Sequence, residues 1–234
     1  MKLVILAIFL GLVLLFGCVG QTNTQSTDVF AKNELGQTAL MLAAQNGQTD
    51  LCNSLIDKGA EINAKDNGGK TSLSYAIVSY QLGESTIDTA RLLMERGADV
   101  NVKYNFGTTP LMDTSYYSSL RINRTDMIKL LIVHGADVNA FDDQGHTALM
   151  YAIDSGDSGG WYAPNEDVEL KVARQDTVKL LIEKGADVNA RYIYNGTAED
   201  ARSKNIVQET PLELALKLND TDIAYILKQA GATE

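Results

Sequence analysis

An all-α repeat solenoid of about five helix-loop-helix units is the fold class that this sequence predicts, on three observations. A Gly-Ala pair recurs at Gly59, Gly97, Gly135, Gly185 and Gly231, and nine residues before each glycine stands an aspartate: Asp50, Asp88, Asp126, Asp176 and Asp222. A threonine signature alternates with it, at Thr38, Thr71, Thr109, Thr147 and Thr210. Threonine to glycine is 21 residues in the first and last copies, and glycine to the next threonine is 12 in the first three gaps, giving a period of 33. Self-similarity at a period of roughly 20–50 residues marks units that bury their apolar faces only against their neighbours.

Each element of the unit follows from local chemistry. The threonine opens a first helix, as in T-A-L-M-L-A-A at Thr38 and T-P-L-E-L-A-L at Thr210. Threonine is a good N-cap, proline suits the first helical position, and the small residues that follow let a neighbouring helix come close. The segment from aspartate to glycine forms a second helix. In M-I-K-L-L-I-V-H-G, residues Met127, Leu130, Leu131 and His134 step by three or four, which is an amphipathic stripe. The aspartate in or beside the first turn favours the helix dipole, and the glycine just past the end supplies a left-handed cap. After that cap comes a near-constant hexapeptide, G-A-D-V-N-A at Gly135 and Gly185, G-A-D-V-N-V at Gly97 and G-A-E-I-N-A at Gly59.

A 33-residue unit with T-P-L followed by alanine resembles the ankyrin repeat, most closely in G-Q-T-A-L-M-L-A-A-Q-N-G from Gly36 to Gly47. The resemblance implies helix pairs whose connecting β-hairpin fingers project sideways, fingers and first helices together lining a concave binding face. Units are expected at about 28–60, 61–98, 99–136, 137–186 and 187–232, within a repeat domain spanning 28–232.

Departures from the repeat point to where a partner would be chosen. The second and third units carry five extra residues between their helices and the fourth carries 17, so that a 154–170 loop holding Trp161 is expected; a further 13 lengthen the last finger, at 191–207. In proteins of this resemblance partner choice falls on finger tips and on the residues after the small pair of the first helix. Those places hold Lys65, Lys103, Tyr104, Phe106, Phe141, Arg191, Tyr192 and Tyr194, then Tyr116 and Tyr117. Aromatic and arginine side chains are the usual interface anchors. The candidate partner-binding residues are therefore Tyr104, Phe106, Tyr116, Tyr117, Phe141, Trp161, Tyr192 and Tyr194, with packing against the adjoining repeat as the alternative for each ring.

The N-terminus is of another kind. Met1 and Lys2 precede an apolar run from Leu3 to Phe16, then Gly17, Cys18 and a polar stretch. This is the layout of a secretory signal peptide, and the run is short of the about 20 residues a bilayer span needs. L-F-G-C at Leu15 to Cys18 resembles the lipobox of prokaryotic lipoproteins, which implies lipidation of Cys18 after removal of residues 1–17. Phe16 is larger than the residue usual there, which leaves an uncleaved anchor and ordinary secretion as alternatives. Residues 18–27 would be a tether, and all three routes place the repeats outside the cytoplasm, with the lipoprotein route leaving them membrane-anchored.

Chemistry is sparse. With 20 basic against 30 acidic residues the net charge is −10, and without a basic run nucleic acid is not an expected partner. If Cys18 is lipidated only Cys52 remains, on a predicted apolar stripe, so no disulfide framework exists. His134 and His146 sit at variable repeat positions, the acidic stretches lack the ligand spacing of a calcium loop, and no Gly-rich phosphate loop follows a strand. No catalytic residue, metal or cofactor is expected. The sequence thus predicts a non-catalytic interaction module holding a protein partner. A structural or protective envelope protein that self-associates or shields is the alternative.

Overall fold

A computed structural model describes residues 29–78, 84–116, 125–154, 168–194 and 207–233. The leader, Cys18, Tyr117 and Trp161 lie outside these residues, as do the side chains of Tyr192 and Tyr194. Among the described residues five helix pairs follow one another: α1 (Ala39–Gln45) and α2 (Thr49–Asp57), α3 (Ser72–Val78) and α4 (Glu84–Glu95), α5 (Pro110–Tyr116) and α6 (Thr125–Val133), α7 (Ala148–Asp154) and α8 (Val168–Glu183), α9 (Pro211–Lys217) and α10 (Thr221–Gln229). First helices stack on first helices from α1 through α9. The core is one continuous cluster running along the stack through Leu40, Leu73, Leu111, Leu149 and Leu212, the leucine that follows each threonine signature.

The helix starts are built as the sequence implies. Thr210 and Glu213 form a reciprocal capping box, Glu213 N–H donating to the threonine hydroxyl at 3.2 Å and Thr210 N–H to the Glu213 carboxylate at 2.6 Å. At Thr38 and Thr109 the same box is made with methionine sulfur, Met41 and Met112 accepting the threonine N–H at 3.4 Å. The helix ends agree too. The glycines of the five Gly-Ala pairs lie at φ between 90° and 94°, a left-handed backbone at which only glycine avoids a Cβ penalty. The following alanine N–H closes the cap, as Ala60 does on the Leu55 carbonyl at 3.0 Å.

The near-constant hexapeptide has a reason beyond the cap. Its asparagine reaches to the next copy of the same hexapeptide and satisfies two backbone groups there. The Asn101 amide donates to the Gly135 carbonyl at 2.9 Å while its oxygen accepts Asp137 N–H at 2.8 Å. Asn139 does the same to Gly185 and Asp187, at 2.9 and 2.8 Å, and Asn63 to Gly97 and Asp99, at 3.0 and 2.8 Å. The hexapeptides at Gly97, Gly135 and Gly185 are thus both reader and read, since Asn189 in turn donates to the Gly231 carbonyl at 3.4 Å, so their residues are fixed twice.

The fingers are also joined. Asn67 N–H donates to the Leu35 carbonyl, Asn105 to Gly68 and Asp143 to Phe106, at 3.1, 3.2 and 3.0 Å. The final finger is a short antiparallel hairpin, β1 (Tyr192–Tyr194) against β2 (Val207–Glu209).

Two sequence expectations are corrected by α8. Asp176 lies in the helix interior, because α8 begins at Val168, whereas Asp88 follows directly on the first turn of α4, which begins at Glu84. The loop expected to reach residue 170 therefore ends in helix, and the two extra turns of α8 touch the start of α10. Arg174 pairs with Asp220 at 2.7 Å, Lys171 with Asp222 at 2.7 Å, and Gln175 donates to Asp222 at 3.3 Å. Lys171 and Gln175 hold the Asp222 carboxyl below its ordinary range through the Lys171 hydrogen bond and charge.

Candidate functional site

The candidate aromatics divide by environment. Phe106 at the tip of the third finger is 77 % exposed, and Phe141 on the fourth is 62 % exposed. Their fingers are adjacent and joined by the Asp143 to Phe106 backbone bond. The Lys103 ammonium lies 5.2 Å from the Phe141 ring centroid and also donates to the Phe141 carbonyl at 2.8 Å. A cation over a ring face is attracted by the ring quadrupole, so this lysine steadies Phe141.

Lys65 and Lys103, expected as variable contact residues, serve a structural purpose. Lys32 donates to the Lys65 carbonyl at 2.9 Å and Lys65 to the Lys103 carbonyl at 3.4 Å, so that each finger is strapped to the next. The signal was present in the sequence as lysine at the same place in three successive fingers.

Tyr104 is a correction. Its side chain is buried, 7 % exposed, and so presents no surface to a partner. Burial, then the Asp113 carboxylate, push its phenol well above the ordinary tyrosine value; the Ser74 hydroxyl acts in the opposite sense. The hydroxyl meets strict hydrogen-bond geometry with no neighbour among the described residues. The Lys70 ammonium stands 6.0 Å from its ring centroid. Packing against the adjoining unit wins because the third finger lies flat on the second: a Cβ on Gly69 would come within 3.3 Å of the Tyr104 Cα.

Tyr116, at the end of α5, is half-buried and meets Tyr151 edge-on, ring centroids 6.1 Å apart. Tyr151, which sequence reasoning did not select, belongs to a polar cluster at the finger-helix junction. Its hydroxyl donates to Asp142 at 2.8 Å, and His146 lies 3.2 Å from the same carboxylate oxygen. Asp142 also accepts the Gln144 and His146 N–H groups at 2.9 and 2.8 Å. The second unit repeats the pattern, Tyr75 donating to Asp66 at 2.7 Å. Fingers and first helices are thereby locked together by a tyrosine-aspartate bond at residues nine apart in sequence.

Burial pushes the Asp142 carboxyl up, but the four hydrogen bonds overcome it and hold the group at about 2 instead of 3.8. The folded value lies below the unfolded one, so the stabilisation is present above about pH 4 and lost as pH falls through about 2. A shift of this size is worth on the order of 2 kcal/mol. Urea unfolding between pH 5 and 2 is expected to show wild type losing that much more stability than Asp142→Asn. Parallel curves would contradict the assignment.

Among the described residues no group of three or more metal-ligating side chains occurs. Cys52 is fully buried, and burial raises its thiol to about 11, where the nucleophilic thiolate is scarce at neutral pH. His134 bonds the Leu130 carbonyl of its own helix at 2.9 Å. Among the described residues no helix is long and apolar enough to cross a membrane.

A stack of helix pairs joined by strapped fingers, with exposed rings at adjacent finger tips, defines a repeat scaffold of the interaction class. The family model described as Ankyrin repeats (3 copies) matches residues 7–104 and residues 84–192. Those matches take in well over half of the chain, which therefore belongs to the ankyrin repeat family. No curated protein matches it significantly. Ankyrin repeats generally form protein-interaction modules and non-catalytic scaffolds.

Proposed function

We propose that this chain is an exported, membrane-tethered ankyrin scaffold that binds a protein partner through its third and fourth fingers. The observation that carries the proposal is the pair Phe106 and Phe141, large rings 77 % and 62 % exposed on adjacent fingers that are bonded to each other. Grouped exposed apolar side chains mark interaction sites, and aromatic anchors set in a rigid frame bind without much ordering cost. The frame is rigid because fingers, hexapeptides and helix ends are each bonded to the next unit. Tethering rests on the leader: a lipid on Cys18, with nine residues from Val19 to Thr27 reaching at most about 30 Å, would keep the first unit close to the membrane.

One observation favours self-association as a second reading. Leu51 of α2 is 46 % exposed, whereas the residues in its place in later units, Thr89, Met127, Thr177 and Ile223, are 0 to 3 % exposed. Photo-cross-linking separates the two. A benzophenone amino acid at position 106 is expected to trap one discrete envelope protein, and the same group at position 51 to trap none. A product of two copies from position 51, with nothing from position 106, would replace the binding proposal with self-association.

A further inference from the structure

We propose that Tyr104 is the positioning residue of the third finger: it takes the place of a side-chain oxygen that holds the turn in the first, second and fourth fingers, and the turn reverses and presents Phe106. In the first finger the Asn33 side-chain oxygen accepts the N–H groups of Leu35 and Gln37, at 3.0 and 2.9 Å. In the second, Asp66 accepts those of Gly68 and Lys70, both at 2.8 Å. In the fourth, Asp142 accepts those of Gln144 and His146, at 2.9 and 2.8 Å. The third finger has a phenol ring at this place and so has no oxygen within reach.

The rest of the turn is unchanged. The closing backbone bond is made in each of the first four fingers, from Asn33 to Gln37, Asp66 to Lys70, Tyr104 to Thr108 and Asp142 to His146, at 2.9 to 3.1 Å. The difference is confined to the centre. Phe106 takes φ 66° and ψ 14°, the geometry that a type II turn demands of its third residue and that normally calls for glycine. Among the described non-glycine residues only Phe106 and Asn219 have positive φ, so Leu35 and Gln144, in the same place, do not share it.

The neighbouring finger contributes. At the first tip the Glu34 carbonyl is held by the Asn67 side-chain amide at 3.0 Å. The counterpart of Asn67 on the fourth finger is Asp143, whose carboxylate cannot donate. The Asn105 carbonyl, counterpart of Glu34, instead accepts the Thr108 hydroxyl of its own finger at 3.3 Å. With neither bond of the type I arrangement available, the central peptide turns over. Phe106 then sits on a backbone strained for its side chain, and such strain gathers where a group must be held for a purpose. That Phe106 serves as a partner anchor rests on the function proposed above; the reversal of the turn does not.

Urea unfolding of the full chain tests the assignment. Phe106→Gly is expected to raise the folding equilibrium constant by about fivefold by relieving the positive φ, while Leu35→Gly in the first finger is expected to lower it. Transplanting the device by Asn33→Tyr together with Asn67→Asp, both at exposed positions, removes the two bonds that hold the first tip and is expected to make Leu35→Gly favourable. In a Tyr104→Asn background the gain from Phe106→Gly is expected to vanish. The proposal is overturned if Leu35→Gly stays unfavourable beside Asn33→Tyr and Asn67→Asp, or if the Phe106→Gly gain persists undiminished beside Tyr104→Asn. No partner enters either measurement, so failure here leaves the cross-linking result to decide the binding function alone.

Discussion

Arg174→Ala is expected to destabilise the fold by about 3–5 kcal/mol, because it leaves the Asp220 charge buried without its partner. The two side chains are 6 % and 7 % exposed and 2.7 Å apart. Asp220 does two jobs, since its other carboxylate oxygen caps α10 by accepting Ile223 N–H at 3.0 Å. Arg174→Met with Asp220→Asn removes both charges while keeping a capping oxygen. Replacement of a buried ion pair by neutral groups of similar volume is often close to neutral, so the double variant is expected to recover most of the loss. A loss below about 1 kcal/mol for Arg174→Ala in urea unfolding would show that water reaches the pair.

This ion pair also shows where the sequence stopped being informative. The threonine caps, the capping glycines and the leucines of the stack were legible because each does a local job that recurs in every unit. The asparagine of the hexapeptide was legible as a repeat but not as a ladder, since its partners lie 34 to 48 residues away. Arg174 had no such recurrence. It lies in the two turns by which α8 outgrows the repeat, and nothing in the 17-residue insertion announced that its end would be helical or that its arginine would meet Asp220, 46 residues on.

The candidate site was legible to the same degree and for the same reason. Finger tips could be located by counting from the threonines, which brought out Phe106 and Phe141. Counting gives a place but not a direction. Tyr104 and Phe106 are two residues apart on one turn, yet the first is 7 % exposed and the second 77 %. Which ring faces water depends on a peptide orientation set by a side-chain oxygen missing from the third finger and an amide donor missing from the fourth. Tyr151 lies inside the repeated T-A-L-M-Y-A-I signature, and its bond to Asp142, nine residues away, becomes visible only in the fold.

The second large effect concerns the proposed partner. Buried aromatic anchors cost about 2 kcal/mol or more each on truncation, roughly 30-fold in affinity. Phe106→Ala with Phe141→Ala touches no core residue, and alanine at position 106 keeps the strained backbone, so folding stability is expected to stay within about 0.5 kcal/mol of wild type.

In the proposed division of labour the repeated positions hold the scaffold while the exposed rings of the third and fourth fingers hold the partner. Immobilised wild-type and Phe106→Ala, Phe141→Ala chains, matched for urea midpoint and exposed to solubilised membranes of the source cells, test it directly. The predicted result is an unchanged midpoint with recovery of the protein trapped at position 106 reduced by about 30-fold or more. Equal recovery of that protein by both chains would contradict it.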